Sequence, residues 1–350
     1  MNPRDLADPA LFLTRWITHF CAPVFIFLSG ISAYLYGARG HSVSEVSRFL
    51  LTRGFWLIVI EFTLVRLGWR FGFGIDVFVA QVIWAIGASM VVLAALVHLP
   101  RAAIAAIGVG LIAGHNLFDA THAATFGAAG GLWHVLHEPG LVSLGAGPKL
   151  FVLYPLVPWI GVMAAGYALG PVLQLEPAAR QRLLVRLGLA ISAGFIVLRA
   201  TNLYGDTAAW SVQSSWLGTL LSFINCEKYP PSLLYLMVTL GPALVLLGLV
   251  EGARGRPADW ITVFGRVPFF YYVAHIFLIH ALAVLFAWAV YGDASWLFGG
   301  ALPQRKPAGY GLSLPGIYAV SLLAVVLLYP ACRWFAALKQ RRRDWWLSYL

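Results

Sequence analysis

Runs of about twenty apolar residues recur along the whole chain, and no polar block between them is long enough for a soluble domain. Nine runs stand out, at approximately 16–37, 50–68, 77–98, 101–118, 150–172, 183–200, 231–250, 260–290 and 315–338. They predict an all-α fold: a polytopic integral membrane helix bundle of about nine transmembrane helices, organised as one integral domain over residues 1–350. Composition agrees, with 60% hydrophobic and 11% charged residues against about 25% charged in an ordinary soluble domain.

The net charge of +10 needs no nucleic acid, because basic residues on cytoplasmic loops set membrane topology. Of the 24 Lys and Arg, fifteen fall on the loops that a cytoplasmic C-terminus would place inside, including Arg39, Arg48, Arg101, Arg254 and Arg341 to Arg343; nine fall on the other set. The C-terminus is therefore expected in the cytoplasm, where LKQRRRDWWLSYL reads as an anchor on anionic headgroups. Nine spans then put the N-terminus outside. MNPRDLADPALFLTRW, with Asp5 and Asp8 and no basic n-region, reads as a loop rather than a start, and the expectation is that a preceding helix is missing. Cys21, Cys226 and Cys332 are far apart and odd in number, which argues against a disulfide framework or a zinc site.

The stretch FGRVPFFYYVAHIFLIHAL holds His275 and His280 inside an apolar run. An imidazole in hydrocarbon needs a hydrogen-bond partner or a wet cavity, so the pair is a candidate site. Five residues place the rings about 140° apart around a helix and roughly 7.5 Å apart along it. If both avoid lipid, this helix is central, and the neighbouring Tyr271 and Tyr272 favour a polar chamber over simple packing. Glu61, between Arg53 and Arg66, costs on the order of 2.5 to 3.5 kcal/mol near mid-membrane; it faces a cavity, a cation or a helix–helix ion pair, and Gln81 could join that network. The loop from Asp119 to Lys149 carries His122, His134, His137 and Glu138, but its HxxH alone is a weak metal signature, and no metal is expected. Residues 201–229 mix Asp206, Trp210, Trp216, Asn225, Glu227 and Lys228, which suits either a sugar or an interfacial aromatic belt. GLIAG at Gly110 to Gly114, and Gly166 with Gly170, read as helix-packing motifs, as do Ser29, Gly30, Ser32 and Ala33. There is no phosphate-binding glycine loop, heptad repeat or low-complexity linker.

At THFCAPVFIFLSG, YPLVPWIGVMAAGYALG, NCEKYPPSLLYLMVTLGPAL and FGRVPFFYYVAHIFLIHALA the chain resembles bacterial members of the heparan-alpha-glucosaminide N-acetyltransferase catalytic-domain family, through nearly its whole length. The resemblance implies a transmembrane acyltransferase in the cell inner membrane that takes an acetyl group from cytoplasmic acetyl-CoA and passes it across the membrane to a sugar or glycan. Such proteins usually begin with a helix bearing an Asp-His pair, which is not found here. His19 stands where some relatives have Asp and is a candidate by position only.

Acyl transfer needs a base or nucleophile, for which a neutral imidazole serves. It also needs oxyanion donors, for which Asn225, Tyr271, Tyr272 or Gln81 would serve. Arg53 and Arg266, at the inner ends of spans with buried polar residues, are expected to hold the nucleotide of acetyl-CoA. A transporter using Glu61, His275 and His280 is the alternative, weakened because no internal repeat is seen. A non-catalytic membrane subunit is the third reading.

Overall fold

The computed structural model describes residues 8–143, 145, 147–299, 306–342 and 344. Arg4, Asp5, Arg305, Arg343 and the terminal WWLSYL lie outside them. In chain order the elements are α1 (Pro9–Thr18), α2 (Cys21–Gly37), α3 (Val43–Ile60), a π-helical turn (Glu61–Val65), α4 (Arg66–Arg70), β1 (Val77–Ala80), α5 (Val82–Leu96), α6 (Arg101–Gly114) and α7 (Gly130–Leu136). They continue with β2 (Gly140–Ser143), β3 (Lys149–Val152), α8 (Leu156–Leu169), α9 (Pro177–Thr201), α10 (Trp216–Ile224), α11 (Leu233–Leu249), α12 (Arg256–Arg266), α13 (Pro268–Tyr291) and α14 (Leu314–Arg341).

Local chemistry sets several boundaries. Asp8 accepts from the N–H groups of Ala10 and Leu11, and Pro9 opens α1 where a missing N–H costs nothing. At α3, Ser42 and Glu45 form a reciprocal box: Ser42 N–H donates to the Glu45 carboxylate at 2.7 Å, and Glu45 N–H to Ser42 Oγ at 3.3 Å. Ser232 caps α11 through Tyr235 N–H. Asn202 and Gly292, both left-handed, end α9 and α13.

Every apolar run contains a helix. Among the described residues six helical segments are long and apolar enough to cross a membrane: Pro9–Gly37, Arg101–Phe118, Leu156–Gln174, Pro177–Thr201, Pro268–Tyr291 and Leu314–Arg341. α5 and α11 are apolar but shorter, at 15 and 17 residues. Three runs differ from expectation, and run 150–172 begins as strand β3. Run 77–98 begins as strand β1, and run 260–290 is two helices, because the residue before a proline is pushed out of helical geometry and Val267 precedes Pro268.

Backbone contacts divide the chain into two compact units. The first comprises Met1–Ile58, Ala80–Ser143 and Leu150–Glu251; the second comprises Val59–Val79, Leu144–Lys149 and Gly252–Leu350.

In the first unit α8 is the central helix, packed on α2, α5 and α6, while α9 pairs with α11. Lipid is as apolar as leucine, so helices here gain from close packing rather than from escaping water. A Cβ on Gly30 would lie 2.0 Å from Met163 O, and one on Gly166 would lie 2.1 Å from Phe27 O, so α2 and α8 touch backbone to backbone. Gly170 meets the Tyr34 ring in the same way. The GLIAG expectation fails: Gly110 and Gly114 face open space, and the α6 glycine against α8 is Gly108, beside Gly161. Small-residue spacing alone does not say which face of a helix is turned inward. Leu153 and Tyr154 N–H donate to Ala80 O, and β3 pairs with β2.

In the second unit Val267, Cys332, Phe335 and Ala336 form a buried cluster joining the α12–α13 junction to α14. α13 is not the central helix expected from its histidines. Only Phe269, Ile276 and Ala287 are fully buried in it.

Candidate functional site

The candidate residues divide between the units. In the second unit, His275 and His280 point to unrelated partners. His275 Nδ1 lies 3.1 Å from Tyr271 O, one turn back in its own helix, and its ring stacks on Tyr271 at 5.3 Å. A carbonyl only accepts, so Nδ1 carries the proton and Nε2 is the basic nitrogen. Tyr272 meets the same ring edge-on at 5.5 Å. His280 is the opposite tautomer: Nε2–H donates to Leu297 O at 3.0 Å, and the ring stacks on Phe71 at 4.0 Å. A backbone carbonyl and a short following turn thus satisfy rings that the sequence suggested would need surrounding helices. Glu61, 1% exposed in the π-helical turn, lies within electrostatic reach of Tyr272. Such turns widen a helix and recur at functional sites. Arg266 ends α12 and is exposed.

In the first unit, His19 follows α1, and its carbonyl accepts the Tyr235 hydroxyl at 2.7 Å. The two rings lie 5.4 Å apart, and the charge of Lys228 acts on the imidazole. Lys228 Nζ sits 5.3 Å from the Tyr229 ring; Tyr229 packs edge-on against Tyr154, which leans on Trp159. Gln81 caps α5 without a side-chain bond to it. Arg53 is half-buried, 5.8 Å from the Phe49 ring.

Two polar centres in this unit went unrecognised in the sequence. Arg199, 1% exposed, donates to the carbonyls of Ala208, Ser222, Phe223 and Asn225 at 2.8 to 3.2 Å and sits 3.7 Å from Asp206. Asp206 accepts from Ala208 N–H, Glu227 N–H and Ser232 Oγ–H. Burial raises its carboxyl above the ordinary range, against the pull of those bonds and of Arg199. Burial, then the Asp206 charge, pushes the Cys226 thiol far up. The pair ties residues 201–232 into one piece and positions Asn225 by its backbone. The signal was available: an ionisable residue at the end of an apolar run deserved the same notice as the histidines.

The second centre is His137, 3.3 Å from Asp119, whose other oxygen accepts from Asn116. His115 Nδ1 serves the carbonyls of Leu111 and Ile112, while its buried Nε2 has no partner. Asp119 lies eighteen positions before His137 with α7 between them, and no periodic pattern could have paired them. Among the described residues no group of three or more His, Cys, Asp or Glu side chains is arranged to hold a metal. An apolar groove of about 720 Å³ is lined by Phe20, Val24, Phe27, Leu240 and Leu244 among others, with the Cys21 thiol on its wall.

Residues 5–203 match the family described as "Heparan-alpha-glucosaminide N-acetyltransferase, catalytic". No curated protein and no solved structure matches the chain. The match includes His19, Arg53, Glu61, Gln81 and Arg199, and ends before Asn225, Arg266, His275 and His280. It covers more than half of the 350 residues, and on that ground the chain belongs to the heparan-alpha-glucosaminide N-acetyltransferase catalytic-domain family.

Proposed function

We propose that the chain is a membrane acetyltransferase that takes an acetyl group from cytoplasmic acetyl-CoA and transfers it to a sugar or glycan acceptor on the other side of the membrane. The family match over residues 5–203 carries this reading, and the apolar helices support it. In this reading residues 1–350 form one catalytic domain of nine spans in a bacterial inner membrane, with lipid around it and the C-terminus in the cytoplasm.

The acceptor oxygen or nitrogen attacks the thioester carbonyl carbon and the C–S bond breaks. An imidazole takes the acceptor's proton and returns it to the departing thiolate. Each histidine of the second unit keeps one basic nitrogen off the backbone carbonyls, Nε2 in His275 and Nδ1 in His280; we place the base at His275 because its ring lies beside two phenols, Tyr271 and Tyr272, whereas His280 is stacked on the apolar Phe71 ring at 4.0 Å. His19 is the candidate of the first unit, with Lys228 acting on it. In the second unit Glu61 contacts the acceptor, Tyr271 and Tyr272 the oxyanion, and Arg266 the phosphates of acetyl-CoA; the first unit's candidates are Gln81 and Asn225 for acceptor or oxyanion and Arg53 for the phosphates.

The test is turnover by the chain in proteoliposomes supplied with acetyl-CoA and an amino sugar, reading acetylated sugar by mass and free thiol by a colorimetric reagent. The expected result is equal amounts of both. Thiol release that ignores the sugar, or no release, overturns the proposal.

A further inference from the structure

In the second unit two arginines stand one turn apart on α4, and they are not equivalent. Arg70, 4% exposed, is fully engaged through its terminal nitrogens: Nη1 donates to Val77 O at 2.8 Å, and Nη2 to Asp76 Oδ1 at 2.8 Å and Gly299 O at 2.6 Å. Arg66 has its guanidinium 4.9 Å from the Phe78 ring, and its Nε and Nη2 are buried without a hydrogen-bond partner. These two nitrogens form one edge of the guanidinium, whose parallel N–H groups match two oxygens of a single phosphate or carboxylate. Leaving charged donors buried and unpaired is costly, so this edge calls for an anion. Asp76, the carboxylate whose charge acts on Arg66, has both oxygens on Arg70. The backbone N–H of Lys149 donates to Asp76 O, which puts a further basic residue on this segment.

The neighbouring surface is apolar where a water-facing loop would be polar. Trp69, Phe73 and Ile75 are large and exposed, Phe73 by 85%, and they follow directly on the apolar run 50–68. Aromatic side chains next to basic ones at the end of a span mark the membrane–water interface.

We infer that Arg66 binds the phosphate of an anionic phospholipid, with Trp69, Phe73 and Ile75 against its glycerol and acyl region. The shared chemistry is phosphate on guanidinium. A soluble phosphate would satisfy Arg66 but not the apolar flank, which favours the lipid.

The test uses the purified, delipidated full chain, titrated with phosphatidylglycerol, phosphatidylcholine or inorganic phosphate and read by native mass spectrometry and thermal unfolding. The expected result is at least a tenfold preference for phosphatidylglycerol over phosphatidylcholine, lost in Arg66→Gln and kept in Arg101→Gln, whose exposed arginine lies in the first unit. Equal binding of the two lipids by the unaltered chain overturns the inference without any variant. So does an Arg66→Gln protein that keeps the preference. Stabilisation by inorganic phosphate equal to that by phosphatidylglycerol overturns the lipid assignment. Should Arg66→Gln not fold, Arg66→Lys is expected to fold, keeping the charge but not the two-pronged edge, and to show a reduced preference; an undiminished one also counts against the proposal.

Discussion

The Arg199–Asp206 centre makes an asymmetric expectation. In Arg199→Met the carbonyls of Ala208, Ser222, Phe223 and Asn225 lose a charged donor, and Asp206 loses its cation. Removing one member of a buried pair costs about 3 to 5 kcal/mol, a factor of a hundred or more in a local opening equilibrium. Asp206→Asn is milder. Its amide oxygen can still accept from Glu227 N–H and Ser232 Oγ–H, while its NH2 faces Ala208 N–H, so one bond is lost at about 1 to 2 kcal/mol. Arg199 keeps its four carbonyls. The assay is amide hydrogen exchange across residues 201–232 in detergent. Protection there should fall by two orders of magnitude or more in Arg199→Met and by about one in Asp206→Asn. The pH dependence follows with a definite sign. Burial raises the Asp206 pKa, so the folded state holds its proton more tightly than the unfolded one. The stability from this proton is full below the ordinary carboxylate pKa and is lost as pH rises through the raised value. Asp206→Asn should abolish that slope. Equal effects of the two substitutions, or a segment that tightens as pH rises, would refute the reasoning.

Three further outcomes are expected. Gly166→Val should destabilise the first unit by about 3 kcal/mol or more, since its Cβ would stand 2.1 Å from Phe27 O and overpacking of a close interface costs 1 kcal/mol upward; Gly110→Ala, in open space, should be neutral or slightly stabilising, and detergent unfolding midpoints compare the two. His275→Ala should lower acetyl transfer by about 10²-fold or more if its ring is the base, whereas His280→Ala should act mainly on stability; near-normal turnover in His275→Ala would reduce that ring to packing. Cys226, buried and with its thiol pushed up by that burial, should resist alkylation under conditions that label the exposed Cys21, as mass shifts of tryptic peptides would report.

Much of the helix plan was legible because a bilayer demands length and apolarity, which a sequence displays directly. The Ser42–Glu45 box and the break at Val267–Pro268 are local signals of the same kind, although neither entered the reading of the sequence. What was not legible depends on which side of a helix meets a neighbour. Gly108 and Gly110 look alike in the sequence, yet only Gly108 meets α8. The two histidines of α13 were legible as unusual but not as different. His280 finds its acceptor at Leu297, seventeen residues on, across a turn whose path no periodicity gives. Arg199 lay in plain view, but Asp206 sits in an irregular loop, and the four carbonyls that fix the guanidinium have no side-chain signature.

The backbone-to-backbone seam between α2 and α8 also bears on how sequences like this one can diverge. Phe25 and Leu28, 47% and 37% exposed on α2 beside the apolar groove, can exchange for other apolar residues as lineages separate, since part of each side chain faces away from the protein. Gly30 and Gly166 have no such freedom, because every other amino acid brings a carbon atom to 2.0 or 2.1 Å from a carbonyl oxygen on the facing helix, far inside van der Waals contact. One cannot be compensated by a change at the other, as each presses on backbone rather than on a side chain that could shrink. Family members that keep this helix pair should therefore hold glycine in both columns while the surrounding letters drift, marking an ancestry constraint in residues that carry no chemistry.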